Sequence, residues 1–170
     1  LSALQRDAAD LEPTAQVALA QEAINAGDVD AMLAVYEAIR DTSDRTVLPA
    51  AADLAIAISG VPSVLTEVAG QATTIDFEDA GAVEAFQADV LDKIESDVDS
   101  AKIDEAVALV EKTTASGGTP TSDQYVLAAV GLAMKVAKDV GDVSVLLADE
   151  DDPPALTADQ EADLLKAEQL

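Results

Sequence analysis

Apolar residues recur at every third or fourth position along most of this chain, which is the spacing of an amphipathic helix. The clearest stripes are Val29, Met32, Leu33, Tyr36 and Ile39; Val83, Phe86, Val90, Ile94 and Val98; Ile103, Val107 and Val110; and Tyr125, Ala129, Leu132, Val136 and Val140. The stretch "DLAIAIS" at 53–59 alternates as a strand would, but the alanine-rich residues before it favour a helix. The pattern therefore predicts an all-α protein.

Turn and capping residues divide this pattern into separate helices. Glycines suited to helix ends are Gly27, Gly60, Gly70 and Gly141, and residues suited to N-caps are Thr14, Asp28, Thr121 or Ser122, and Thr157. Together they predict helices at 14–26, 29–40, 47–59, 62–69, 80–98, 101–115, 122–139, 142–148 and 158–168. The segment "SGGTPTSD" at 116–123 is predicted to be a loop.

The length of 170 residues is that of one ordinary domain. We expect a helical-hairpin domain over 1–148, followed at 149–170 by an acidic linker and a terminal helix that belong to the same domain. The apolar run "VLAAVGLAM" at 126–134 is far shorter than the roughly 20 residues that span a bilayer, so no transmembrane segment is predicted.

Helix pairs recur along the chain, with turns near Gly27, Gly60, Ala101 and Gly141 that are 33 to 41 residues apart. The first unit, "AINAGDVDAMLAVYEAI", resembles the tetratricopeptide (TPR) repeat, with Gly27, Asp28, Tyr36 and Ile39 at matching places. The later segment "SAKIDEAVALVEKT" resembles the second helix of that repeat, with Ala106 and Val110 at matching places.

The sequence also departs from the TPR pattern. Met32 replaces a small residue, and no motif Trp or Pro recurs. Two folds therefore stay open, stacked antiparallel TPR-like hairpins and an irregular helical bundle. The resemblance implies a concave groove that holds a partner protein, with candidate contact residues Gln21, Asp53 and Gln87 on the first helices.

Several kinds of chemistry are excluded by composition. The chain has no Cys and no His, which removes the usual zinc and haem ligands, the commonest general base and the Ser/His and Cys/His nucleophile pairs. The "AGDVDAML" turn has one glycine and no Lys, so it does not suit a phosphate. The aromatic residues Tyr36, Phe77, Phe86 and Tyr125 are predicted to pack in the core. Neither catalytic residues nor a cofactor are predicted.

The net charge of −25 favours cations and basic partners and disfavours nucleic acid. Most neighbouring carboxylates are expected to lie on solvated faces. The densest acidic run is Asp149, Glu150, Asp151 and Asp152, which is the candidate site for a divalent cation, with a hydrated linker as the other interpretation.

These observations predict a non-catalytic protein-interaction module, a scaffold or accessory subunit, whose partner is a protein of basic character. The alternative is an extracytoplasmic protein that binds a small molecule or a cation. The chain begins with Leu1, so we expect that an upstream segment was removed, for which signal-peptide or lipoprotein cleavage is one explanation. A periplasmic, lipoprotein or secreted location is favoured. Because Asp exceeds Glu and Lys is scarce, the cytoplasm of a salt-adapted organism is the alternative.

Overall fold

The computed structural model describes residues 8–143 and 156–170, and within them the regular secondary structure is helical. The helices are α1 (Pro13–Ala26), α2 (Val29–Ile39), α3 (Leu48–Ile58), α4 (Val61–Ala72), α5 (Ala80–Asp97), α6 (Ser100–Ala115), α7 (Ser122–Val140) and α8 (Ala158–Gln169). The all-α prediction is confirmed, including the helix across 53–59. The helix predicted at 142–148 falls almost entirely outside the described residues.

Helix α3 is the centre of the domain. It contacts α1, α2, α4, α6 and α7, and its most extensive contact is with α6. Its buried residues are Leu48, Ala50, Ala51, Ala52, Leu54, Ala55 and Ile56. The alanines have side chains small enough for neighbouring helices to approach on several sides at once, which explains why an alanine-rich helix occupies this place.

Contacts between distant helices close the fold around α3. Successive helices pair as α1 with α2, α4 with α5, α6 with α7, and α7 with α8. In a stacked repeat array each unit contacts only its neighbours. Here α3 and α4 both pack against α7, which lies beyond the next hairpin along the chain, so these helices share one core.

Three of the predicted N-caps, Asp28, Thr121 and Thr157, begin helices through side-chain hydrogen bonds. Asp28 accepts a hydrogen bond from the Ala31 N–H, and Thr121 and Thr157 each form a capping box with a glutamine. The predicted cap at Thr14 is wrong. The cap of α1 is Glu12, because Pro13 takes the first helical position, where its missing N–H costs nothing.

Glycine ends three of the predicted helices in the left-handed conformation, at Gly27, Gly60 and Gly141. Gly70 does not end a helix, because α4 continues to Ala72. Gly60 also touches another part of the chain, since a Cβ added there would lie 1.9 Å from the carbonyl oxygen of Asp97. The α3–α4 turn is thereby packed directly against the α5–α6 turn.

The predicted core positions are mostly buried, with two corrections. Val29 is 56% exposed, and Phe77 is 64% exposed in the turn between α4 and α5. No single described helix is long and apolar enough to cross a membrane; α3 and α4 together reach that length and composition but are bent by 51°.

Candidate binding groove

A groove with a volume of about 390 Å³ lies where α1, α2, α3 and the first turns of α4 and α7 meet. We refer to it as the α3 groove. Its walls are largely apolar, and include Ile24, Met32, Ile56 and Leu127. Its polar lining residues are Gln21, Asp53, Asp123 and Gln124. Apolar walls with a few polar groups are the usual composition of a binding site.

Asp53 is a half-buried carboxylate in a helix that is otherwise largely buried. Its Oδ1 accepts a hydrogen bond of 2.7 Å from the Nε2 of Gln124. Burial raises the pKa of Asp53 above its usual range, the Gln124 hydrogen bond partly opposes this, and the nearby charge of Asp123 adds to the rise. The carboxylate is therefore held in surroundings that disfavour its negative charge.

Gln124 fixes the position of Asp53 because every part of its amide is engaged. It is only 1% exposed. Its Oε1 accepts from the Thr121 N–H at 3.0 Å, and its Nε2 donates to the Pro49 carbonyl oxygen at 2.9 Å as well as to Asp53. One buried side chain thus completes the cap of α7 and joins α7 to α3.

The structure brings together two of the three predicted contact residues. Gln21 and Asp53 both line the α3 groove, whereas Gln87 lies on α5 and is not among the residues of that groove. Asp123 and Gln124 were not predicted as site residues. The capping signal at Thr121 did mark the start of α7, but nothing in the local sequence shows that this helix start faces α3.

A second polar cluster joins α2 to α6. The Tyr36 hydroxyl donates to Glu105, and the Lys102 Nζ lies 2.9 Å from Glu105 Oε2 and 4.7 Å from the centre of the Tyr36 ring. The Nη1 atom of Arg40 lies 3.9 Å from Glu105 Oε1 and 3.2 Å from Glu37 Oε1. We refer to these five residues as the α2–α6 network.

The electrostatics of the α2–α6 network favour an ionised carboxylate and a protonated phenol. Burial raises the pKa of Tyr36, and the hydrogen bond to Glu105 and the charge of that carboxylate raise it further. Burial also tends to raise the pKa of Glu105, but hydrogen bonds from Tyr36 and Lys102 outweigh it, so this pKa is lowered. The Tyr36 phenol therefore keeps its proton and donates a hydrogen bond to an ionised Glu105, and this bond joins α2 to α6.

Lysines connect the helices elsewhere as well. Lys135 lies 2.7 Å from Asp104 on α6 and 3.0 Å from Asp163 on α8, and Lys138 donates to the Val98 carbonyl oxygen at 2.7 Å. The remaining lysines also contact other elements: Lys93 contacts Glu67, Lys102 lies 3.9 Å from Glu37 on α2, Lys112 contacts the Thr42 carbonyl oxygen, and Lys166 contacts Glu111. Asp104 is 54% exposed and lies on a solvated face as predicted, whereas Glu105 is partly buried and bonded to Tyr36 and Lys102.

The candidate cation ligands Asp149, Glu150, Asp151 and Asp152 lie outside the described residues, so that hypothesis stays a prediction. Among residues 8–143 and 156–170, no group of three or more acidic side chains is arranged to hold a metal ion.

Comparison with known proteins gives no relative from which a function can be transferred. The chain matches no family model, and neither a curated protein nor a solved structure is similar to it. The α3 groove and the charge of the domain are therefore the observations on which a function can be argued.

Proposed function

We propose that this domain is a non-catalytic protein-interaction module whose α3 groove takes a cationic side chain of its partner. The observation that supports the proposal is the environment of the Asp53 carboxylate. Its carboxylate is half-buried, and its hydrogen bond comes from the neutral amide of Gln124 and not from a Lys or Arg. A cation placed beside it offsets the cost of keeping this charge away from water.

A lysine side chain of a partner fits the groove chemically. Its alkyl stem packs against the apolar walls at Ile24, Met32 and Leu127, while its ammonium group meets Asp53 and Asp123. The net charge of −25 adds long-range attraction for a basic protein and speeds its association.

The tetratricopeptide likeness is proposed for the α1–α2 hairpin only. There Gly27 is left-handed, Asp28 caps α2, and Tyr36 and Ile39 are buried, as the resemblance implies. The location outside the cytoplasm, or in the cytoplasm of a salt-adapted organism, is likewise a proposal and rests on composition.

The alternative function is binding of a small molecule or a cation. Its support is the groove volume of about 390 Å³, which lies within the range of small-ligand pockets. A small alkylammonium compound would use the same carboxylate as a partner's lysine.

The test compares two peptides that differ at one side chain. One carries a lysine flanked by apolar residues, and the other carries norleucine, which has a similar stem without the charge. We expect calorimetry to show about tenfold tighter binding of the lysine peptide. Asp53→Asn should reduce that preference, because the variant removes the half-buried carboxylate and leaves Asp123. The variant keeps an oxygen that accepts from Gln124.

The matched control is Asp139→Asn, which removes an exposed carboxylate elsewhere on α7. This control should retain the preference for lysine. Equal affinity for the two peptides, or an equal loss in both variants, would mean that general acidity and not the groove attracts the cation. Binding of a free alkylammonium compound as tight as that of the lysine peptide would favour the small-molecule alternative.

A further inference from the structure

A second cleft lies at the far end of the α4–α5 hairpin. Its volume is about 480 Å³, and its apolar lining includes Ile75, Ala82, Ala85 and Phe86. It shares no lining residue with the α3 groove. Along α4, the groove residue Pro62 and the cleft residue Gln71 are separated by about 14 Å, given the rise of about 1.5 Å per residue. The two features are distinct.

The cleft contains a buried acceptor that has no partner. The Oε1 of Gln71 is shielded from solvent and accepts no hydrogen bond within the part of the chain that the structure describes. A buried polar atom left in this state is costly, and native proteins keep few of them. Because Gln71 lines the cleft, a ligand that turns the Gln71 side chain towards the cleft would let an N–H group reach this oxygen.

Both phenylalanines of the protein lie at this end of the hairpin. Phe86 is half-buried in the cleft, and Phe77, in the adjacent turn, is 64% exposed. The two tyrosines are instead packed partly or fully into the body of the domain. Exposed aromatic side chains are enriched at protein interfaces, where they supply much of the binding energy.

The charges around the cleft decide between candidate occupants. Asp76 and Asp89 line it, and Glu78, Asp79 and Glu84 are exposed nearby in the sequence. A second copy of this chain would bring the same acidic end and be repelled. A basic segment would be attracted, and its apolar face would cover the aromatic rings.

We propose that the end of the α4–α5 hairpin docks a basic amphipathic segment of a partner protein. An apolar side chain of that segment enters the cleft beside Phe86, and basic side chains face Asp76 and Asp89. The Gln71 side chain turns on binding, so that its Oε1 accepts from an N–H group of the segment. This surface is independent of the α3 groove and stands whether or not the groove binds lysine.

The probe is a synthetic peptide with leucine and lysine at helical spacing, whose control replaces every lysine by glutamate. Calorimetry should show binding of the first peptide only. Phe77→Ala should weaken binding about tenfold, since Phe77 is an exposed anchor. Val126→Ala, which shortens a 57% exposed residue on α7, is the matched control and should have no effect. Asp89→Asn should weaken binding, and Glu168→Gln, at an exposed position of α8, should not.

Gln71→Leu gives a readout that a purely structural role would not produce. The substitution removes the unpartnered acceptor, so we expect the free protein to melt at a higher temperature while the peptide binds less tightly. A lower melting temperature would show that Gln71 is already satisfied in the free protein, which overturns the proposal. Equal binding by wild type, Phe77→Ala and Gln71→Leu overturns it too, as does self-association in sedimentation equilibrium that Phe77→Ala removes.

Discussion

Asp53 is a carboxylate whose negative charge is disfavoured by the folded structure. Its folded-state pKa lies above the 3.8 of an ordinary aspartate because burial disfavours the charge. At a pH above 3.8 the folded chain therefore holds the proton more firmly than the unfolded chain does, and stability falls as the pH rises through the folded-state pKa. A neutral side chain at this position would avoid the cost of burying the charge, which is part of the support for the proposed binding role of Asp53.

We expect Asp53→Asn to melt at a higher temperature than wild type at neutral pH. The difference should shrink as the pH falls towards 3.8, since wild-type Asp53 then becomes neutral as well. Thermal denaturation followed by circular dichroism over a pH series measures both effects. A variant that is less stable than wild type at neutral pH would show that the ionised carboxylate contributes to the fold.

Gly60 is required for two reasons, its left-handed backbone and its contact with the Asp97 carbonyl oxygen. Gly60→Ala should lower the free energy of unfolding by about 3 kcal/mol or more. Gly27→Ala is the matched control, because Gly27 is also left-handed but has open space around it, and should cost only about 1 kcal/mol. Urea denaturation separates the two, and equal losses would mean that the contact between the turns is unimportant.

Between helices, the α2–α6 network is the interaction whose chemistry is best defined. Tyr36→Phe removes the hydroxyl that donates to Glu105, and should lower the free energy of unfolding by about 1 to 2 kcal/mol. Tyr125→Phe is the control, since the Tyr125 hydroxyl lies 3.1 Å from the Thr114 hydroxyl in an exposed place. Urea denaturation of both variants tests this, and a double-mutant cycle with Glu105→Gln attributes the loss to the pair.

The same network predicts a loss of stability in acid. The pKa of Glu105 is lowered from 4.5 in the folded chain, so its contribution is fully present above that value and disappears as the pH falls through the folded-state pKa. The stability difference between wild type and Glu105→Gln should therefore narrow as the pH falls below 4.5. A constant difference across that range would show that the carboxylate charge is not what stabilises the contact.

For the whole domain, the excess of negative charge is the dominant electrostatic feature. All six lysines already contact carboxylates or carbonyl oxygens of other helices or loops, and the net charge that includes them is still −25. Repulsion among the carboxylates opposes the compact state at low salt, because the Debye length is about 30 Å at an ionic strength of about 0.01 M. At about 1 M the Debye length is about 3 Å, so this repulsion is screened.

We expect the melting temperature to rise between dilute buffer and about 1 M NaCl, and KCl to give a similar gain. Screening also weakens the lysine contacts, but surface pairs of this kind contribute only about 0 to 1 kcal/mol each. A melting temperature that stays flat or falls across the NaCl series would indicate that bound cations or a basic partner neutralise the carboxylates, which would support the cation-binding alternative.

Much of the local structure is predictable from neighbouring residues. Asp28 and Thr121 cap helices by bonding to backbone N–H groups within three residues, and Gly27 ends a helix because it adopts a left-handed conformation at little cost. Two predictions of this kind were wrong, the N-cap at Thr14 and the helix end at Gly70. Pro13 takes the first helical position before Thr14, and α4 continues past Gly70 to Ala72. Phe77 was wrongly predicted to be buried, because the apolar character of a residue does not show which side of a turn the rest of the chain covers.

Apolar spacing and caps thus established the helices and their limits, because these features depend on residues a few positions apart. The net charge established the acidity of the surface, because it is a sum over the whole chain. The order of packing depends on which helix faces fit together, and that is decided by contacts such as α3 with α6. Asp53 and Gln124 lie 71 residues apart and meet only when those helices pack. The α3 groove, the raised pKa of Asp53 and the unpartnered oxygen of Gln71 exist only in the tertiary structure, since burial and hydrogen-bond partners are properties of the packed chain.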